Sequence, residues 1–253
     1  MKTLILKFEY DGTNYCGTQI QNSVPTIQRV IQDNFEKLTK TKINLISAGR
    51  TDSGVHARGQ VGHSLLQDDF KFPEEKITTA LNAYLPEDIR IHFSKIIYYP
   101  FHSRYDAIAR EYSYNITLKK TVFYLKFYTY IKYKLDFELL RNCSELFVGE
   151  KDFTTFSKLN KDTLSYVCKV EFCNWELNKD GTLRLTIKSN RFVFGMVRAL
   201  VGAMLDCSRG KRTLEQIEHA LMLKNRAFSS PLAEPNGLIL EKIYYPEKFL
   251  YLM

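Results

Sequence analysis

The chain has no run of 18 apolar residues, no C-x-x-C pair and no long stretch rich in glycine, proline or serine. Without the first, no segment is expected to cross a bilayer as a helix. The second matters because the five cysteines, Cys16, Cys143, Cys168, Cys173 and Cys207, are odd in number and not spaced as metal ligands. Neither a disulfide framework nor a zinc site is therefore expected, and the thiols read as reduced, in a cytoplasmic protein. The lack of a linker leaves no sharp domain boundary, so two halves would share an interface. The N-terminal apolar run is broken by Lys7 and Glu9 and has no small-residue cleavage site, so no secretory signal is read there.

What is present fits a globular chain with a polyanionic partner. The 253 residues can bury one large core or two of ordinary size. Hydrophobic residues at 45% and charged residues at 25% are the usual balance of a folded protein. The formal charge of +8 favours RNA or DNA ahead of a membrane. Residues 119–134 concentrate that charge, with five lysines among six aromatic residues and no acid. Such a stretch suits a nucleic-acid surface, and equally a half-buried strand with its lysines outward.

Leu4, Leu6, Phe8 and Tyr10 alternate as one face of a strand does. Behind Pro25, the residues Ile27, Val30, Ile31, Phe35 and Leu38 recur at helical spacing. Strands around 43–48 and 60–66, a helix over 74–85 and a strand over 89–97 complete a β-α-β-β-α-β order, the split pattern of ferredoxin-like domains. The second half reads as a strand over 109–118, a helix near 137–147 and strands over 166–177 and 183–189. Asp180-Gly181 between the last two is a strong hairpin signal. Helices over 191–206 and 213–224 and a strand over 238–244 follow. The expectation from these patterns is an α+β protein of two halves, residues 1–103 and 104–253, that share an interface.

Two features suggest chemistry. From Ser47 to Gln60 the chain places one carboxylate, Asp52, in a turn among glycines, hydroxyls and basic groups, between two strands. Loops on a rigid scaffold commonly display functional residues, although the same residues also build an ordinary turn in which Asp caps backbone amides. Far along the chain, residues 192–205 are apolar on every side except for Arg198. Either that side chain packs its stem and carries its head to the surface, or it meets a carboxylate from a distant segment. Pairing with Asp52 would keep the acid ionised and oriented, as a nucleophile requires. Tyr112 and Tyr114 share a strand face, fit for core packing or for stacking on a base. His56 and His63 lack a compact third ligand beside Asp52, so no metal is expected.

Together these residues resemble the TruA-type tRNA pseudouridine synthases. The strongest element is Gly49-Arg50-Thr51-Asp52-Ser53-Gly54-Val55-His56-Ala57, close to the family's G-R-T-D-x-G-V-H. Tyr10-Asp11-Gly12-Thr13, Phe101-His102-Ser103-Arg104, Arg110-Glu111-Tyr112, Met196-Val197-Arg198 and Pro235-Asn236-Gly237-Leu238 follow in the family's order. The resemblance implies Asp52 as nucleophile, Tyr112 and Leu238 at the target uridine, and Arg198 paired with the aspartate. It implies RNA contacts at Arg50, Arg58, Phe101, His102, Ser103, Arg104, Tyr105 and Arg110. It further implies two ferredoxin-like (RRM-like) domains with a largely antiparallel sheet and a catalytic cleft between them, a homodimer, tRNA as partner, and uridines of the anticodon stem-loop (positions 38 to 40) as substrate. The chain departs from the pattern at Thr18, where tryptophan is usual, which removes an aromatic contact. Arg58, Gly62 and Ser64 stand where threonine, an apolar residue and phenylalanine are more usual.

Making pseudouridine breaks the C1′–N1 bond, turns the uracil and rejoins it through C5, with no net oxidation and no group added. No cofactor is needed. The reaction needs the base out of its stack, a carboxylate near the sugar and base, and a group to take the C5 proton. Attack of Asp52 at C1′, attack at C6 and assistance to departure all remain open, and Tyr112 is a plausible general base. The rival readings are a non-catalytic RNA-binding protein with two RRM-like domains, which leaves Asp52 and Arg198 unexplained, and a metal-dependent nuclease, which needs clustered carboxylates.

Overall fold

The computed structural model describes residues 2–161 and 163–252. Its strands are largely antiparallel, and five α-helices occur among the described residues. The chain divides into two compact units, Met1–Ile108 with Leu240–Met253, and Ala109–Ile239.

The first unit contains β1 (Lys2–Tyr10), α1 (Ile27–Thr39), β2 (Ile46–Ser47), β3 (His56–Leu66), α2 (Glu74–Tyr84) and β4 (Ile89–Ile97). Strand β1 lies between β4 and β3, antiparallel to both, and β2 pairs with β3. The alternation of Leu4, Leu6 and Phe8 marks one buried face of β1, and Ile5 is equally buried on the other. A central strand covered on both faces carries apolar residues at consecutive positions for this reason. Ile27, Ile31 and Phe35 form the buried stripe of α1, each contributing about 1.5–3 kcal/mol by leaving water. Lys40, in a left-handed conformation, ends that helix with its N–H on the Glu36 carbonyl.

The second unit contains β5 (Ala109–Thr117), β6 (Thr129–Tyr130), α3 (Phe137–Glu145), β7 (Gly149–Asp152), β8 (Val167–Leu177), β9 (Leu183–Ser189), α4 (Met196–Ser208) and α5 (Leu214–Leu223). The strand order is β5-β9-β8-β7, antiparallel throughout, with β6 parallel to β5. The hairpin expected at Asp180-Gly181 is present: Asn178 N–H donates to the Thr182 carbonyl at 2.8 Å, and Gly181 has φ +82°. Helix α4 begins at Met196, five residues later than the start at 191 expected from sequence, because Gly195 turns the chain at φ +71°. Residues 119–134 are mainly irregular, with a short helical turn at Val122–Tyr124, the two residues of β6, and Phe123 90% exposed.

Strand β10 (Leu238–Tyr244) carries the chain across the division between the units. These compact units do not coincide with the halves 1–103 and 104–253 expected from sequence. Residues 104–108 and the segment from Leu240 onward belong with the first unit, not the second. Bonds between segments far apart in sequence account for this: Ile108 N–H donates to the Tyr244 carbonyl at 2.8 Å, Tyr245 OH to the Ser103 carbonyl at 2.6 Å, and Arg58 meets Glu241 at 3.2 Å.

Candidate active site

Asp52 is half-buried in the loop between β2 and β3, and that loop is anchored at both ends. At its start, the buried Gln60 amide holds Gly49 twice, donating to its carbonyl at 2.8 Å and accepting from its N–H at 3.3 Å. Beyond Asp52, Val55 N–H closes the turn on the Asp52 carbonyl at 3.2 Å. The Tyr15 carbonyl accepts from Gly54 N–H at 3.3 Å and from Ser53 Oγ at 3.2 Å. Gly12 N–H donates to His56 Nδ1 at 3.0 Å, tying the segment after β1 to the first residue of β3. Four residues flanking the carboxylate, Gly49, Ser53, Gly54 and His56, are thus bonded to other segments, which fixes the turn that carries it.

Thr18 makes polar contacts of its own where the aromatic one is absent. It is buried, its Oγ1 accepts from Thr51 N–H at 3.1 Å, and its hydroxyl bonds to the Thr51 hydroxyl. Tyr10 OH lies 2.8 Å from Thr51 Oγ1 and 3.3 Å from Thr18 Oγ1. Burial pushes the Tyr10 phenol up, so its hydroxyl keeps its proton within this cluster. Sequence inspection missed this cluster. The available signal was a small hydroxyl residue at a position where a large aromatic one is usual.

The other departures also have local reasons. Arg58 is exposed and donates to both carboxylate oxygens of Glu241, at 3.2 and 3.3 Å. Gly62 has Leu45 Cδ1 2.8 Å from where a Cβ would sit, so Leu45 takes the space of a side chain. Ser64 Oγ accepts from Asn44 N–H at 3.0 Å, a bond phenylalanine could not make.

The segment following β4 separates into inward and outward residues. Phe101 is buried against Tyr245 and Phe249, and Ser103 is buried with Oγ donating to the Ile46 carbonyl at 2.6 Å. Both side chains are turned inward and hold the segment in place. Arg104 and Tyr105 point outward, with the guanidinium 5.9 Å from the ring centroid, and the half-buried His102 packs on the same ring. His63 Nδ1 accepts from Ser103 N–H at 3.1 Å. Burial, then the nearby His102, lowers the His63 pKa to about 4, so this imidazole is neutral at ordinary pH. Arg50 is exposed.

In the second unit, Tyr112 is buried on β5, opposite Ile187 of β9, with Phe192 edge-on at 5.1 Å. Tyr114, on the same face, is bonded to Thr129 at 2.7 Å and to the Glu234 carbonyl at 2.8 Å, which makes it a core residue. Arg110 is largely buried and donates to the Asn190 carbonyl at 3.0 Å. Leu238 is buried. Arg198 is half-buried on α4, where the rest of the helix is buried, and its Nε donates to the Ala233 carbonyl at 2.7 Å. Among the described residues, no three His, Cys, Asp or Glu side chains converge as around a metal ion. No helix among them is long and apolar enough to cross a membrane.

Residues 7–106 and 144–246 match the family described as tRNA pseudouridine synthase. The chain belongs to this family. It is 36% identical over 247 residues to the tRNA pseudouridine synthase A of Borrelia turicatae, covering 97% of this chain and 100% of that one. The protein of the same name from Clostridium kluyveri is 35% identical over 247 residues, with the same coverage. That of a Geobacillus species is 36% identical over 252 residues, covering 96% and 98%. A solved Cbf5-Nop10-Gar1 complex aligns with 96% of this chain and 50% of that chain at 12% identity and a TM-score of 0.40, too slight a likeness to build on. Within the synthase match, the first stretch contains Asp52 and Arg104, and the second contains Arg198 and Leu238. Arg110 and Tyr112 fall between the two.

Proposed function

We propose that this chain is a tRNA pseudouridine synthase that isomerises uridine to pseudouridine in the anticodon stem-loop. The observation that carries the reading is the similarity to synthases over nearly the full chain, with the family's aspartate on a turn anchored at both ends. Asp52 acts as the nucleophile, Arg198 pairs with it, and Tyr112 meets the flipped base and takes the C5 proton. Arg50, Arg58, Arg104, Tyr105, His102 and Arg110 contribute to RNA binding, and Leu238 to the base pocket. The exposed Arg104–Tyr105 pair supports this, since it offers a cation for phosphate and a ring for stacking. Phe101 and Ser103 support that pair from within.

The reading includes two ferredoxin-like domains with the catalytic cleft between them, and a homodimer in the cytoplasm. The strand order β4-β1-β3-β2 with two helices supports the first domain.

The test is to incubate purified protein, with chelator, and unmodified tRNA tritiated at uridine C5. Tritium release is the expected result. Binding without release would favour an RNA-binding protein, and chelator-sensitive strand cleavage a nuclease.

A further inference from the structure

Thr18 holds the residue before Asp52 from both sides of its backbone. Its N–H donates to the Thr51 carbonyl at 3.2 Å, and its Oγ1 accepts from Thr51 N–H at 3.1 Å. The Thr51 carbonyl belongs to the planar peptide that carries the Asp52 N–H, so fixing it sets the plane from which Asp52 departs. The approach is close because Gly17 has φ +84°, and a Cβ there would sit 2.5 Å from the Thr51 oxygen. Only glycine fits.

The hydroxyls extend this grip. Thr18 Oγ1 and Thr51 Oγ1 are bonded to each other and both lie within reach of Tyr10 OH, at 3.3 and 2.8 Å. All three residues are buried, with Thr18 1% exposed. Polar groups so placed are bound to protein partners instead of water, and a buried network whose members are all satisfied rigidifies its surroundings. The network joins β1, the loop before α1 and the turn that carries Asp52, all inside the first unit.

We propose that Thr18 is a positioning residue for Asp52, setting the carboxylate's place through Thr51 and the shared Tyr10 hydroxyl. The inference rests on Asp52 being the nucleophile. Thr18→Val keeps the shape of the side chain and removes its oxygen, while Thr18→Ser keeps the oxygen and removes a methyl group. Single-turnover tritium release, tRNA affinity and melting temperature are measured for each, with rates taken well below the melting point. Thr18→Val is expected to slow release by about 10- to 100-fold, since small misplacements of reacting groups carry costs of that order. Its Kd is expected to stay within about twofold, and Thr18→Ser within about threefold of the wild-type rate.

A folded Thr18→Val variant at the wild-type rate overturns the proposal, and so do equal losses in the Val and Ser variants. Tyr10→Phe tests the same network from β1, should Thr18→Val fail to fold. It is expected to slow release by about three- to tenfold at unchanged Kd, and an unchanged rate overturns the proposal. A wild-type protein that releases no tritium sinks the proposed reaction, which is a separate result.

Discussion

At the scale of the residue, Asp52 and Arg198 stand out in the sequence for a simple physical reason. A charge surrounded by apolar side chains, or a lone acid in a glycine-bearing turn, must have a partner or a task. Thr18 has no charge to mark it: its one sign is a small hydroxyl residue where an aromatic one is usual, and a threonine in a loop reads the same whether water or another hydroxyl satisfies it. Its burial and its two bonds to Thr51 become visible only in three dimensions. Arg198 donates to the Ala233 carbonyl, which fixes the guanidinium's orientation from one side. The proposed pairing with Asp52 gives it a second role. Arg198→Met is therefore expected to lower turnover by at least about tenfold, or 1.4 kcal/mol in the barrier, with tRNA affinity changed much less. An unchanged turnover rate, measured by tritium release at saturating tRNA, would sink the pairing.

At the scale of the element, periodicity located most strands and helices, since burial of one face leaves a mark every second or every third to fourth residue. It missed β7, whose sequence Gly-Glu-Lys-Asp has no apolar face and which forms by pairing with β8. It also began α4 too early, because an apolar run does not reveal where Gly195 turns the chain. Within α4, Gly202 has the Pro231 carbonyl oxygen 2.0 Å from where a Cβ would lie. Alanine in mid-helix ordinarily stabilises by about 0.5–1 kcal/mol relative to glycine. Here the contact is with backbone, which cannot swing aside, so Gly202→Ala is expected to destabilise by about 1–3 kcal/mol. Urea unfolding checks the sign; a gain in stability would contradict the close packing.

At the scale of the whole molecule, the order of elements was legible but the return of the chain was not. Residues from Leu240 onward join the first unit through bonds to partners far back in sequence, at Arg58, Ser103 and Ile108. A non-local pairing leaves no local pattern, so the last strand read as part of the half that precedes it. The excess of 36 basic over 28 acidic side chains was legible and fits an RNA substrate. Family membership supplies the reaction, and Asp52 on the anchored turn is the residue proposed to carry it. Asp52→Asn keeps the shape of that residue and removes its charge, so it separates chemistry from binding. The most direct measurement is single-turnover tritium release from C5-labelled tRNA by this variant, alongside its tRNA affinity. Release should be abolished while Kd stays within about threefold of wild type; release within about tenfold of the wild-type rate would contradict a nucleophilic Asp52.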